Sequence, residues 1–155
     1  MARETTCCFT GHRTLYRPAS EISAELDKIV RKMYERGFRN FCCGGAVGFD
    51  TLAEKAVLAL REEHDDVRLV LILPCHDQTK KWKAADVAVY EEILTLADEI
   101  IYTSEHFTPF CMHVRNRRLV DESSVCIAYL VTDSGGTAST VKHAKQQGIE
   151  IIKIA

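Results

Sequence analysis

Nowhere in its 155 residues does this chain hold an apolar run of the roughly 20 positions that cross a bilayer. Its start, Met1-Ala2-Arg3-Glu4, lacks the apolar stretch of a secretory leader. A reducing, cytoplasmic setting is therefore expected. No charge of one sign dominates: 20 lysines and arginines face 22 acids, for a net charge of -2. That balance argues against a protein that binds nucleic acid through bulk positive charge. Tryptophan occurs once, at Trp82, and binders of single strands rely on aromatic platforms. Nucleic acid is thus not the expected partner, although a small basic site remains compatible with the composition. Repeats, linkers and low-complexity tracts are missing too, and the length suits one domain over residues 1–155. The seven cysteines include no CxxC. Cys7-Cys8 and Cys42-Cys43 are adjacent pairs, and neighbours on a strand point to opposite faces. They make a poor chelate and a poor disulfide framework. They read as small buried hydrophobes, with no metal site expected.

What the chain does contain is a strict alternation of strand and helix patterns. Strands are expected over residues 5–10, 40–43, 67–73, 99–102, 125–131 and 149–154. Helices are expected over 19–36, 50–63, 80–97, 112–121 and 135–147. Residues 67–73 (VRLVLIL) and 125–131 (VCIAYLV) are almost continuously aliphatic, as strands covered on both faces are. Ser20, Ser23 and Glu25 offer cap chemistry to the first helix, and Asp50 to the second. The expected fold is α/β, a Rossmann-like three-layer α/β/α arrangement around a mostly parallel sheet of about six strands.

In such sheets ligands sit beyond the carboxyl ends of the strands, near a topological switch point. Three strands here run into unusual turns. The first is Thr10-Gly11-His12-Arg13: glycine admits close backbone approach, the threonine offers a hydroxyl, the histidine a hydrogen bond, and the arginine a forked cation suited to phosphate. The second runs from Gly44 and Gly45 through Gly48 to Asp50. Glycines before a helix N-terminus can form an anion nest, and Asp50 either caps the helix or accepts from a ribose hydroxyl or a base. The third is Gly135-Gly136-Thr137, again glycines before a helix. No GK[ST] is present to hold a triphosphate with magnesium. A fourth element, Met112-His113-Val114-Arg115-Asn116-Arg117-Arg118, packs three arginines into four residues. Arg115 and Arg118 can share a helix face, and one arginine is expected at the ligand. Asp121 is expected to support that helix or pair with an arginine.

These motifs, taken in order, resemble the SLOG superfamily of Smf/DprA and LOG Rossmann-like proteins, and most nearly its YpsA-like branch. The resemblance rests on Thr10 to Arg13, on Gly44-Gly45-Ala46-x-Gly48-x-Asp50, on Arg115-Asn116 followed by Val120-Asp121, and on Gly135-Gly136-Thr137. It implies a nucleotide-related ligand at these turns. The superfamily includes enzymes that cleave ribosyl bonds of nucleotide monophosphates, sensors of NAD-derived or ADP-ribose-like molecules, and a DNA-handling branch. The LOG enzymes carry a PGGxGTxxE motif whose glutamate takes part in loss of the base. Here the corresponding stretch, Ser134 to Val141, has no acid, and none follows before Glu150. Thr14 also stands where YpsA-like proteins usually have proline.

The reading that follows is a domain that binds an NAD- or ADP-ribose-like molecule or a nucleoside monophosphate, as a sensor or regulator. No cofactor beyond that nucleotide-type ligand is expected. The alternatives are a nucleotide N-glycosidase or phosphoribohydrolase, for which Arg115 and Asp50 are the candidate catalytic residues, and single-stranded DNA binding. A homodimer or a protein partner is compatible with the apolar positions Val87, Val89, Ile93 and Leu94. The same positions equally suit covering the sheet. The apolar loop Phe107 to Cys111 either stacks on a base or packs down.

Overall fold

The strands are apolar on both sides because helices cover both faces of the sheet. The computed structural model describes residues 1–154; residue 155, the end of the expected domain, lies outside them. After a 3-10 turn over Arg3–Thr5, the elements are β1 (Thr6–Gly11), α1 (Ala19–Glu35), β2 (Asn40–Cys43), α2 (Phe49–Glu63), β3 (Arg68–Leu73) and α3 (Ala84–Leu96). They continue as β4 (Glu99–Tyr102), α4 (Cys111–Asp121), β5 (Val125–Tyr129), α5 (Gly136–Gln146) and β6 (Glu150–Ile154). Every strand pairing is parallel, in the order β4-β3-β2-β1-β5-β6. The chain winds outward from β1 to β4, then returns to the far side of β1. The switch point therefore lies between β1 and β5, and the result is the expected Rossmann-like three-layer fold.

One core joins α1, α2 and Ile93 of α3 to the sheet face carrying Cys7, Phe9, Phe41, Leu71 and Ile127. The other joins α4 and α5 to the face carrying Cys8, Cys42, Val70, Ile72 and Cys126. Adjacent cysteines thus serve opposite cores, as strand alternation requires. All seven are buried free thiols, and burial pushes Cys7 and Cys43 well above the usual thiol range.

Packing, more than capping, holds the helices. No side chain caps the start of α1, where Pro18 occupies the N-cap. The expected cap from Ser20, Ser23 or Glu25 is not made. An N-cap is worth about 1 kcal/mol. Ile22, Leu26, Val30 and Met33 are all buried on α1 and contribute about 1.5–3 kcal/mol each, so the missing cap is easily offset. On α3 only Ile93 is buried; Val89 and Leu94 pack partly against the core.

Two expected boundaries shift for tertiary reasons. The third helix begins at Ala84, not at 80. The preceding segment is tied instead to the loop after β4: His76 N–H donates to Glu105 O (3.3 Å) and Phe107 N–H to Asp77 Oδ1 (3.1 Å). The strand expected to reach 131 stops at Tyr129. The next free amides are taken by a side chain: Val131 N–H donates to His12 Nε2 at 2.8 Å. Among the described residues, no helix is long and apolar enough to cross a membrane.

Candidate functional site

β1 and β5 stay paired to their carboxyl ends, Gly11 opposite Tyr129, and a cavity of about 280 Å³ opens beyond the end of β1. Its walls include Thr10, Gly11, His12 and Arg13 from the end of β1, Asp50 from α2, Arg115 and Asn116 from α4, and Gly136 and Thr137 from α5. Gly44, Gly45, Gly48 and Gly135 are not among its lining residues.

The glycines divide into two kinds. Gly11, Gly44 and Gly48 are small because protein fills the space beside them. A Cβ on Gly11 would enter the Phe49 ring, and one on Gly48 would collide with the Arg13 carbonyl oxygen. A Cβ on Gly44 would stand 2.8 Å from the Arg115 guanidinium. Gly45 likewise abuts Leu73. The second glycine turn is thus a packing device that docks the first turn and the α4 arginine onto α2. Gly135 and Gly136 differ. Nothing lies within 4 Å of a Cβ on Gly135, and only Asn116 Nδ2, at 3.5 Å, neighbours one on Gly136. No side chain caps α5, so its N-terminal amides stand beside the cavity without side-chain partners.

His12 works inside the fold. Its Nε2 accepts from the amides of Val131 and Thr132, which requires a neutral ring protonated on Nδ1. Burial lowers its pKa in agreement. The ring meets Tyr129 edge-on at 5.8 Å, so His12 clasps the first turn to the end of β5. Arg13, by contrast, is exposed and makes no ion pair or hydrogen bond among the described residues.

The floor is a buried charge cluster. Arg115 is 5% exposed. Its Nη1 donates to Gly44 O and its Nε to Asn116 Oδ1 at 2.7 Å. Arg118 does not share that face: it pairs with Glu122 at 3.0 Å. Asp121 pairs with His143 of α5 at 2.8 Å, not with an arginine. Asp50 does not cap α2, whose N-cap is Gly48; its Oδ2 accepts from Ala46 N–H at 3.1 Å. Asp50 is 6% exposed, and burial raises it to about 6 against the pull of Arg115. One turn on, Glu54 is 2% exposed. Burial and the Asp50 charge push it well above the ordinary carboxylate range.

Glu54 was not legible as part of this cluster, nor were Met112 and Leu119 as cavity walls. The signal for each is spacing. Glu54 follows Asp50 by four residues on an otherwise apolar face. Positions 112, 115, 116 and 119 form one helical stripe.

The Asp50 environment has a pH signature. An acid whose folded-state pKa is raised binds its proton more tightly folded than unfolded. Its contribution to stability therefore falls as pH climbs from about 4 to about 6 and is level above. The rise from 3.8 to about 6 corresponds to roughly 3 kcal/mol. Asn mimics the protonated form, so Asp50→Asn melts higher than the parent at pH 8 and by only about half as much at pH 5. An Asn variant that melts lower than the parent at pH 8 contradicts this account.

The sequence profile of the YspA SLOG family matches residues 16–152. That span starts beyond Thr10 to Arg13. An uncharacterized SPbeta prophage-derived protein of Bacillus subtilis strain 168, YoqJ, is 28% identical over 145 residues, covering 86% of this chain and 83% of its own. DNA processing protein A from Streptococcus pneumoniae superposes with a TM-score of 0.70 at 16% identity, over 97% of this chain and 50% of that one. The Helicobacter pylori protein of the same name gives 0.69 at 18% identity, over 99% and 66%. Its structure is described as showing a single-stranded DNA binding mode. At these identities the likeness is one of fold, and this chain spans only half to two-thirds of those proteins.

Proposed function

This chain belongs to the YspA SLOG family, and from that membership together with its cavity we propose that it binds a nucleotide-derived ligand as a sensor or regulatory domain. The observation that carries the reading is one of convergence. An unpaired cation, Arg13, the uncapped start of α5 and the buried Arg115–Asp50 cluster all meet at the β1–β5 switch point. Phosphate sits against Arg13 and the amides of Gly136 and Thr137, where the helix dipole favours negative charge. Asn116 and Asp50 accept or donate to ribose hydroxyls, and Thr10 supplies a further hydroxyl. Ligand affinity then depends on Arg13 more than on Gly44, Gly45 or Gly48, which act through packing. Gly135 contributes by leaving the approach open.

The test is thermal melting with AMP, NAD and ADP-ribose. Saturation at a hundred times the dissociation constant adds about 2.7 kcal/mol, a rise of several degrees for a chain of this length. The shift is lost in Arg13→Ala while the unliganded melting point holds. No shift with any nucleotide, or one unchanged in Arg13→Ala, overturns the reading.

A second reading, cleavage of the ribosyl–base bond, is favoured by one observation. Asp50 is a carboxyl group inside the cavity held near neutrality at about 6, within the range where it can exchange a proton during catalysis. Free base then appears on incubation with ligand and disappears in Asp50→Asn, with binding retained. DNA binding enters from the Helicobacter pylori fold neighbour, and the net charge of -2 does not remove it, because the cations that matter are local.

A further inference from the structure

A second cavity, of about 490 Å³, adjoins the first, and Arg13 and Met112 line both. Its other walls include Gln78, Lys80, Lys81, Trp82 and Phe107. Three kinds of chemistry meet there. Trp82 and the 59% exposed Phe107 offer aromatic surface for a planar ring. Lys80 and Lys81 form no ion pair among the described residues and supply positive charge at a distance from the α5 terminus. Gln78 is only 7% exposed, and its Oε1 has no hydrogen-bond partner while its Nε2 donates to Tyr90 Oη at 3.1 Å. A buried, unpartnered amide oxygen is a costly feature; it is closed to solvent, and a ring N–H or exocyclic amine in the groove would satisfy it once the Gln78 side chain turns outward.

Volume points the same way. Small-molecule sites usually occupy roughly 300–1,000 Å³. The first cavity alone falls just short of that range, and the two together lie well inside it. A mononucleotide leaves the lysine pair with Asp77 as the one carboxylate among the residues lining this cavity.

We propose that the two cavities form one trough for a ligand of two nucleosides joined through phosphate, its first phosphate at the α5 terminus and its second base in the Trp82–Phe107 groove. This rests on the nucleotide reading of the first cavity. Such chemistry comes either as a free dinucleotide or as the end of a single strand.

Trp82 is the only tryptophan, so its emission reports the groove directly. AMP, diadenosine pyrophosphate and a ten-residue oligodeoxyadenylate are titrated while emission and melting are followed. The two longer ligands quench Trp82 and bind at least about tenfold tighter than AMP, as one added aromatic–base stack allows. Lys81→Ala and Phe107→Ala remove that extra affinity and leave the AMP-induced melting shift unchanged. Tighter binding of the oligomer with a steep loss in salt assigns the source to a strand; equal or tighter binding of diadenosine pyrophosphate assigns it to a free dinucleotide. If AMP shifts melting through Arg13 but the longer ligands bind no tighter and leave emission unmoved, the trough is overturned and the nucleotide site stands. If no nucleotide moves the melting point, both fall.

Discussion

Gly48→Ala lowers stability by about 4 kcal/mol. Two costs combine. Gly48 has φ +81 and ψ -121, a region that side chains avoid at about 1–3 kcal/mol. A Cβ there would also strike the Arg13 carbonyl oxygen, which is backbone and cannot rotate away. Displacing it strains the first turn, whose His12 O accepts from Phe49 N–H at 3.2 Å, at about 1–3 kcal/mol more. Gly37 is the control. Its φ is +100, yet nothing lies within 4 Å of a Cβ there, so Gly37→Ala shows the backbone cost alone, about 1 kcal/mol. Urea unfolding of the two variants separates the terms. Equal losses would mean that the first and second turns are not in the close contact described.

Arg115→Ala costs about 3 kcal/mol, a fall in melting point of roughly 10 °C for a chain of this length. The substitution leaves Gly44 O and Asn116 Oδ1 without their charged donor. It also leaves Asp50 and Glu54 buried without the cation that both feel. The acids limit the damage by taking up protons, because losing Arg115 raises Asp50 above its value of about 6. That escape is complete at low pH, so the loss is smaller at pH 5 than at pH 8. Arg115→Lys recovers little of it, since one ammonium on a flexible stem cannot reproduce the forked contacts. Circular dichroism melts at the two pH values check both statements. A loss under about 1 kcal/mol, or one independent of pH, would show that Arg115 is not the keystone of the cavity floor.

Much of this was legible because local chemistry repeats along the chain. The aliphatic runs at 67–73 and 125–131, set between helical patterns, require a sheet with both faces covered. The glycine turns follow strands, and all strands of a parallel sheet end at one edge, so Thr10 to Arg13, Asp50 and Gly136-Thr137 had to come out near one another. The helix expected from 80 was not legible correctly, because a backbone bond between His76 and Glu105 and the Asp77–Phe107 contact join segments far apart in sequence. Nor was the role of His12, whose partners Val131 and Thr132 lie about 120 residues away.

By itself, then, the order of apolar and polar residues determined the element sequence, the parallel sheet, the burial of the cysteines and the sheet edge at which the glycine turns gather. Periodicity and turn chemistry act over a few residues and need no partner. Tertiary structure alone decided which glycines make room for protein and which leave open space. It also decided that Arg115 turns inward while Arg118 pairs with Glu122, and that Asp50 is buried near neutrality beside Glu54. Those properties are set by distance and desolvation between strands and helices that meet only once the sheet has formed, and Coulomb interactions among buried groups depend on that geometry, not on sequence spacing.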